Sequence, residues 1–152
     1  MAKEERKIMK KKQEKLTLAS AFEMIYEEAS DSKLSPEFYD TCNDALNFVR
    51  KKLNVTHFQS IMLAILANSD ESKSLRDMAS YTKCSSIRFR IHKEELDDLH
   101  YRHFVQWSMT RCSLEYRIRD EFMKAVIDNT PYTPKKYEDY TAYDVYTKIS
   151  KC

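Results

Sequence analysis

Residues 74–118 read SLRDMASYTKCSSIRFRIHKEELDDLHYRHFVQWSMTRCSLEYRI, and this stretch decides the fold. Ser74 stands directly ahead of Leu75, Met78 and Ala79, which is an N-cap followed by apolar residues at helical spacing. The pattern breaks over Tyr81–Ser86. A longer helix is expected from about Ser86 to His100, with Ile87, Ile91, Leu96 and Leu99 on one side. Two alternating runs follow, Phe104–Met109 and Ser113–Ile118, with Thr110-Arg111-Cys112 as the turn between them. Short helix, tight break, longer helix and hairpin make a helix-turn-helix carrying a wing. In this reading Leu75, Met78 and Ala79 pack on Ile87 and Ile91. The hairpin covers the remaining flank, and the outer face of the second helix is left free for a partner.

Working outward, Leu18, Phe22 and Ile25 give an amphipathic helix over Leu16–Ser30, and Asp31-Ser32 breaks it. Ser35-Pro36 is an N-cap with proline at the first helical position, so a helix should run from Pro36 to about Leu53 with Phe38, Cys42, Leu46 and Val49 inward. Thr56-His57-Phe58-Gln59 is a capping box. The helix it opens, to Asn68, is apolar on nearly every side, as a central buried helix must be. After the wing, Arg119–Asp128 reads as a helix packing Phe122, Ala125 and Val126, stopped by Asn129-Thr130-Pro131. The fold class is therefore mainly α: a winged helix-turn-helix with extra N-terminal helices and a two-stranded β-hairpin wing. The expected organisation is a basic flexible arm at 1–15, the winged-helix domain at 16–130, and a tyrosine-rich tail or linker at 131–152. A short helix over Ala142–Ile149 is among the readings of that tail.

Composition narrows the function. The 152-residue chain contains no glycine, where average usage of about 7% would supply roughly ten. A P-loop or a dinucleotide fingerprint needs glycines for backbone approach to phosphate, so both are excluded within this chain. Left-handed helix caps and tight turns must fall to Asn, Asp or other residues at a steric cost. Hydrophobic residues make up 42% and charged residues 33%, which suits one domain with a real core and solvated helices. No run of 18 apolar residues is present, the basic N-terminus lacks the features of a secretory signal, and a cytoplasmic location is expected. Cys42, Cys84, Cys112 and Cys152 are far apart in sequence and contain no Cys-x-x-Cys, so reduced thiols are expected. The net charge of +2 is uneven: residues 1–15 carry seven Lys/Arg and three Glu, which leaves the remainder at −2.

The second helix of the 74–118 unit holds Arg88, Arg90 and Lys93 in its first half and Glu94, Glu95, Asp97 and Asp98 in its second. Cations near a helix N-terminus oppose the macrodipole, and a bound anion would offset that. Ser85, Ser86, Arg88, Arg90, Lys93 and the wing-tip Arg111 are therefore the candidate contacts to a partner or to DNA. Against DNA stand the acidic second half and the i,i+4 pairs Arg90–Glu94 and Lys93–Asp97, which would give a self-satisfied solvated face. A protein partner, or an adjoining module of the same chain, is favoured over DNA.

Residues 74–118, with the preceding helices and Ser35-Pro36, resemble the N-terminal winged-helix domain of bacterial AAA-type ATPases. The matching pieces are Ser74-Leu75, the turn Cys84-Ser85, Ile87-Arg88, Leu96-Asp97-Asp98-Leu99 and Phe104-Val105 leading into the wing. The helix Arg119–Asp128 and the exit Thr130-Pro131-Tyr132 are also similar, so the resemblance covers about residues 16–150. It implies a non-enzymatic regulatory or targeting domain that precedes an ATPase module. Members of that group carry a glycine in the helix-turn-helix break and another before the first wing strand. Here those places read Tyr81-Thr82-Lys83-Cys84 and Tyr101-Arg102-His103, which puts the turn geometry in question. The alternative function is a sequence-specific DNA-binding regulator using the helix 86–100 and the wing.

Other signals are weaker. His92, His100 and His103, with Cys84 and Cys112 nearby in this fold, lack the paired spacing of a zinc site, and no metal or cofactor is expected. Cys42 and Cys84 read as small core residues rather than nucleophiles. Glu94-Glu95 and Asp97-Asp98 fall on the solvated face without a pocket, so no catalytic residues are assigned. Trp107 is either an anchor on the wing or a lid on the core.

Overall fold

The computed structural model describes residues 16–110 and 113–133. Expectations on the arm at 1–15, Arg111, Cys112 and the tail beyond Thr133 lie outside them. Among the described residues the chain is mainly helical, with seven helices and one two-stranded antiparallel hairpin. The helices are α1 (Leu18–Ala29), α2 (Pro36–Leu53), α3 (His57–Ala67), α4 (Leu75–Thr82), α5 (Ser86–Arg90), α6 (Lys93–Tyr101) and α7 (Asp120–Asp128). The hairpin strands are β1 (Val105–Thr110) and β2 (Ser113–Ile118).

Local chemistry explains the boundaries. Thr17, Thr56 and Ser74 each open a helix through a capping box, closed by Ser20, Gln59 and Asp77 respectively. Each box satisfies backbone donors that the first turn leaves without intrahelical partners. Pro36 occupies the start of α2, where its fixed φ suits a helix and its missing N–H is not needed. The C-terminal ends show how a glycine-free chain turns. Asn54, Lys83 and Asn129 take the left-handed conformation that closes α2, α4 and α7, at φ 54°, 64° and 54°. Asp31, Lys33, Leu34 and His103 are also at positive φ. Two of these seven residues, Lys83 and His103, sit in the two stretches where a glycine was expected from the resemblance.

The core forms around α3. Every residue from Phe58 to Leu66 is buried, and α1, α2, α6 and β2 all pack against the helix. Phe22 and Phe122 meet edge to face at 6.3 Å, joining α1 to α7, and Phe104 meets the same Phe122 ring at 4.9 Å. Such rings contribute beyond their buried area when arranged edge to face. In the hairpin Val105 pairs with Ile118 and Thr110 with Ser113. Val105, Tyr116 and Ile118 are buried at its base, while Ser108, Met109 and Thr110 are exposed towards its tip. One further bridge joins Lys73 to Tyr116, with both backbone N–H···O contacts at 2.8 Å. Lys73, two residues before α4, thus extends the hairpin by a single pair on the β2 side.

The segment 86–101 departs from the sequence expectation. Ile87 and Ile91 are 69% and 72% exposed, and Phe89 between them is fully buried. At about 100° per residue, Ile87 and Leu96 lie nine positions and so roughly half a turn apart, and cannot share one face of a helix. The self-consistent stripe is Phe89, His92, Leu96, Leu99 and His100. Phe89 meets Phe58 edge to face at 5.0 Å, and His92 stacks flat on the same ring at 3.7 Å. Nor is the helix continuous. His92 N–H donates to Phe89 O at 3.0 Å and Glu95 N–H to His92 O at 3.1 Å, three-residue steps that tighten the backbone between α5 and α6. The His92 ring nitrogen Nδ1 contacts the Glu95 carboxylate across that joint.

Candidate interaction surface

The cations singled out in the sequence are divided by the fold. Arg88 points away from the outer face. Its Nη1 donates to Lys33 O and its Nη2 to Leu34 O at 2.8 Å, so the guanidinium clamps the α1–α2 loop. That loop holds three of the left-handed residues, Asp31, Lys33 and Leu34. It is also tied to the end of α4, where Tyr81 O accepts from Asp31 N–H at 3.1 Å and Thr82 O from Lys33 N–H at 2.7 Å. Tyr39 lies beside Arg88; burial pushes its phenol up, and the guanidinium charge works in the opposite direction. Ser85 is the exposed N-cap residue of α5 and makes no side-chain cap, and Ser86 is half-buried. Arg111 is outside the described residues.

Arg90 and Lys93 do come together. With Arg76 from the first turn of α4 they line a groove of ≈ 530 Å³ between α4, the α5–α6 joint and β2. Leu75 and Leu114 supply apolar lining, Ser74 and Ser113 polar lining, and no carboxylate among the described residues lines the groove. Lys93 keeps the expected i,i+4 pair with Asp97 at 2.9 Å, whereas no Arg90–Glu94 pair forms. Tyr116 also lines the groove, and its phenol donates to Asp97 Oδ1 at 3.3 Å; burial, and then the Asp97 charge, raise its pKa well above the usual phenol range.

The acidic half of the segment is likewise not the open face expected from sequence. Glu95 accepts from Thr56 Oγ1 at 2.8 Å. The Gln59 amide donates to Glu95 O at 2.8 Å and to Asp98 Oδ2 at 2.9 Å. Arg102 bridges Asp98 to the carbonyls of Leu53 and Asn54. Of the four carboxylates only Glu94 is exposed. The capping residues of α3 therefore also fix α6, which the local capping signal gave no reason to expect.

Ile87 and Ile91, both exposed, stand one helical turn apart, with Ile91 N–H donating to Ile87 O at 3.1 Å, and Arg90 of the groove lies between them in sequence. Charge patterning along the chain does not single out Arg76, Ile87 or Ile91 as contacts. The pattern Phe89-x-x-His92-x-x-x-Leu96 carried the signal that would have turned the two isoleucines outward.

The histidines go to separate places. His92 lies on Phe58, and His100 is buried where the Trp107 indole N–H donates to its Nε2. Trp107 is half-buried, packed at the base of the hairpin. Among the described residues no three His, Cys, Asp or Glu side chains converge as a metal-binding group. Cys42 and Cys84 are free thiols, and burial pushes the Cys42 thiol up to about 12. No helix among the described residues is long and apolar enough to cross a membrane. In comparisons with protein-family models, curated proteins and solved structures, nothing matches this chain.

Proposed function

We propose that this chain is a non-enzymatic winged-helix interaction domain that binds another protein, or an adjoining module of its own chain, through the face around α5. The observation that carries this reading is the pairing of two largely exposed isoleucines, Ile87 and Ile91, on a segment whose foremost cation, Arg88, is turned inward. Exposed apolar side chains that neighbour one another at a polar-rimmed site mark contact surfaces. The winged-helix reading is supported by the order of helix, single bridged residue, three helices and hairpin, with Lys73 against β2. The resemblance to the N-terminal domain of bacterial AAA-type ATPases is supported by the left-handed Lys83 and His103, which fall within the two stretches where its members carry a glycine. On this reading the chain is a regulatory or targeting domain and any ATPase chemistry belongs to another module.

DNA is the competing partner, and the groove lined by Arg76, Arg90 and Lys93 is the feature that favours it. Two measurements decide. Titration of the full chain with duplex DNA at low salt should give weak binding with a shallow salt slope; tight binding with a steep slope would move the function to DNA. A photoactivatable residue at position 91, in cells that express the chain, should give discrete protein adducts that Ile87→Asp abolishes. The same probe at the exposed Asp40 on α2 serves as the control. Equal adducts from both positions would refute docking through α5.

A further inference from the structure

Resting on that reading, we infer that the partner segment is amphipathic and acidic: two aliphatic side chains one helical turn apart lie on Ile87 and Ile91, and carboxylates beside them enter the groove of Arg76, Arg90 and Lys93. Arg90 makes the two parts one surface. It is three residues from Ile87 on α5 and directly precedes Ile91, the C-cap residue of that helix, and it lines the groove. Residues three and four apart on a helix are surface neighbours. A ligand that covers the isoleucines therefore reaches the groove without leaving the face.

The charge of the groove selects the ligand. Three cations from α4, α5 and α6 line one recess of ≈ 530 Å³, without a carboxylate in its lining among the described residues. Among the described residues Arg76 and Arg90 have no acidic partner within ion-pair distance, and of the three cations Lys93 is engaged, by Asp97. Such a recess matches two or three carboxylates presented together. It matches a duplex less well. DNA carries a charge about every 1.7 Å of its axis and is held by a long basic track. Here the track ends at once: the exposed Glu94 follows Lys93, Asp97 pairs with that lysine, and residues 16–152 are net −2. The helix that would enter a major groove also stops after five residues. A protein segment needs neither a long track nor a long rod. It needs an apolar knuckle with a matched charge beside it, as in helix-on-surface recognition by anchors at i and i+4.

The test uses the full chain and a designed probe, an 18-residue helical peptide with leucines at i and i+4 followed by two glutamates. Backbone amide signals in NMR titrations at 50 mM salt should move at residues 74–76, 87–93 and 113–116. The Arg76→Glu/Arg90→Glu double variant should weaken binding about tenfold, the sum expected for two exposed ion pairs. A peptide with lysines in place of the glutamates should not bind. The variants lie at exposed positions, and circular dichroism checks that they fold. If the lysine peptide binds as well, or the double variant binds unchanged, the acidic specificity is refuted while docking through Ile87 and Ile91 stands. Absence of any shift with the acidic peptide also refutes the inference, and the cross-linking experiment at position 91 then reports independently on docking. If a 20-base-pair duplex moves the same amides at lower concentration than the acidic peptide, both readings fall.

Discussion

Replacing Phe89 by alanine, and separately Ile87 by alanine, tests which side of α5 faces the core. Phe89 is fully buried and holds an edge-to-face contact with Phe58 at 5.0 Å, whereas Ile87 is 69% exposed. Truncating a buried phenylalanine costs about 3–5 kcal/mol, which combines lost transfer energy with the cavity left behind. Because α5 has five residues and lies at the edge of the core, the cavity can partly collapse. We therefore expect the lower part of that range, about 3 kcal/mol. For a chain of this size that is a fall in Tm of roughly 6–12 °C, at about 2–4 °C per kcal/mol. Ile87→Ala removes little buried surface and should change stability by less than about 0.5 kcal/mol. The assay is urea unfolding followed by far-ultraviolet circular dichroism, with equal m-values confirming that the native states compare. If Ile87→Ala costs more than Phe89→Ala, the isoleucines face inward, and the interaction surface loses its apolar part.

Three further outcomes follow from the geometry. Arg88→Ala should cost about 1.5–3 kcal/mol by removing charge-assisted bonds to the Lys33 and Leu34 carbonyls; Arg88→Lys should recover only part, since an ammonium cannot fork across two carbonyls. Urea unfolding of both variants checks this, and an unchanged Arg88→Ala would refute the clamp. Lys83→Gly should raise stability by about 1 kcal/mol, since Lys83 closes α4 at φ 64° and a glycine has no Cβ to resist that conformation; a loss on substitution would refute the account of strain in the glycine-free caps. The raised pKa of Cys42 makes its stabilising contribution complete below the ordinary thiol pKa of 9.0 and progressively lost as pH rises towards about 12. Unfolding free energy should therefore fall above pH 9, by up to about 1.4 kcal/mol per pH unit from this one group, and Cys42→Ala should fall less steeply; parallel slopes for the two proteins would remove Cys42 as the cause.

The acid side of α6 shows how local signals acquire distant roles. Thr56 and Gln59 form a capping box that is legible from four consecutive residues. The same Gln59 amide also fixes Glu95 and Asp98, 36 and 39 positions away. Those carboxylates looked like a solvated face because each is followed or preceded by another charge. In the fold, the N-terminus of α3 lies against α6 and supplies donors that draw two of them inward. The surface that reaches a partner is thus shaped by which charges the core has already engaged. Arg88 and Glu95 are engaged, whereas Arg76 and Arg90 form no ion pair among the described residues.

The sequence alone determined the helices α1 to α4 and α7, the hairpin and most of their boundaries. Those depend on caps, on a proline and on apolar periodicity within a few residues of each position. It also determined that tight turns would fall on residues other than glycine, and Asn54 and Asn129 are two of them. Tertiary structure alone decided the facing of 86–101. Two apolar stripes compete there, and the aromatic one wins because Phe58 on α3 offers one ring for both Phe89 and His92. It decided the place of Arg88 in the same way, since its carbonyl partners lie 54 and 55 residues away and no local pattern announces them. Periodicity can show that a segment has an inner face, but when two faces qualify, only the neighbour that packs against it selects one.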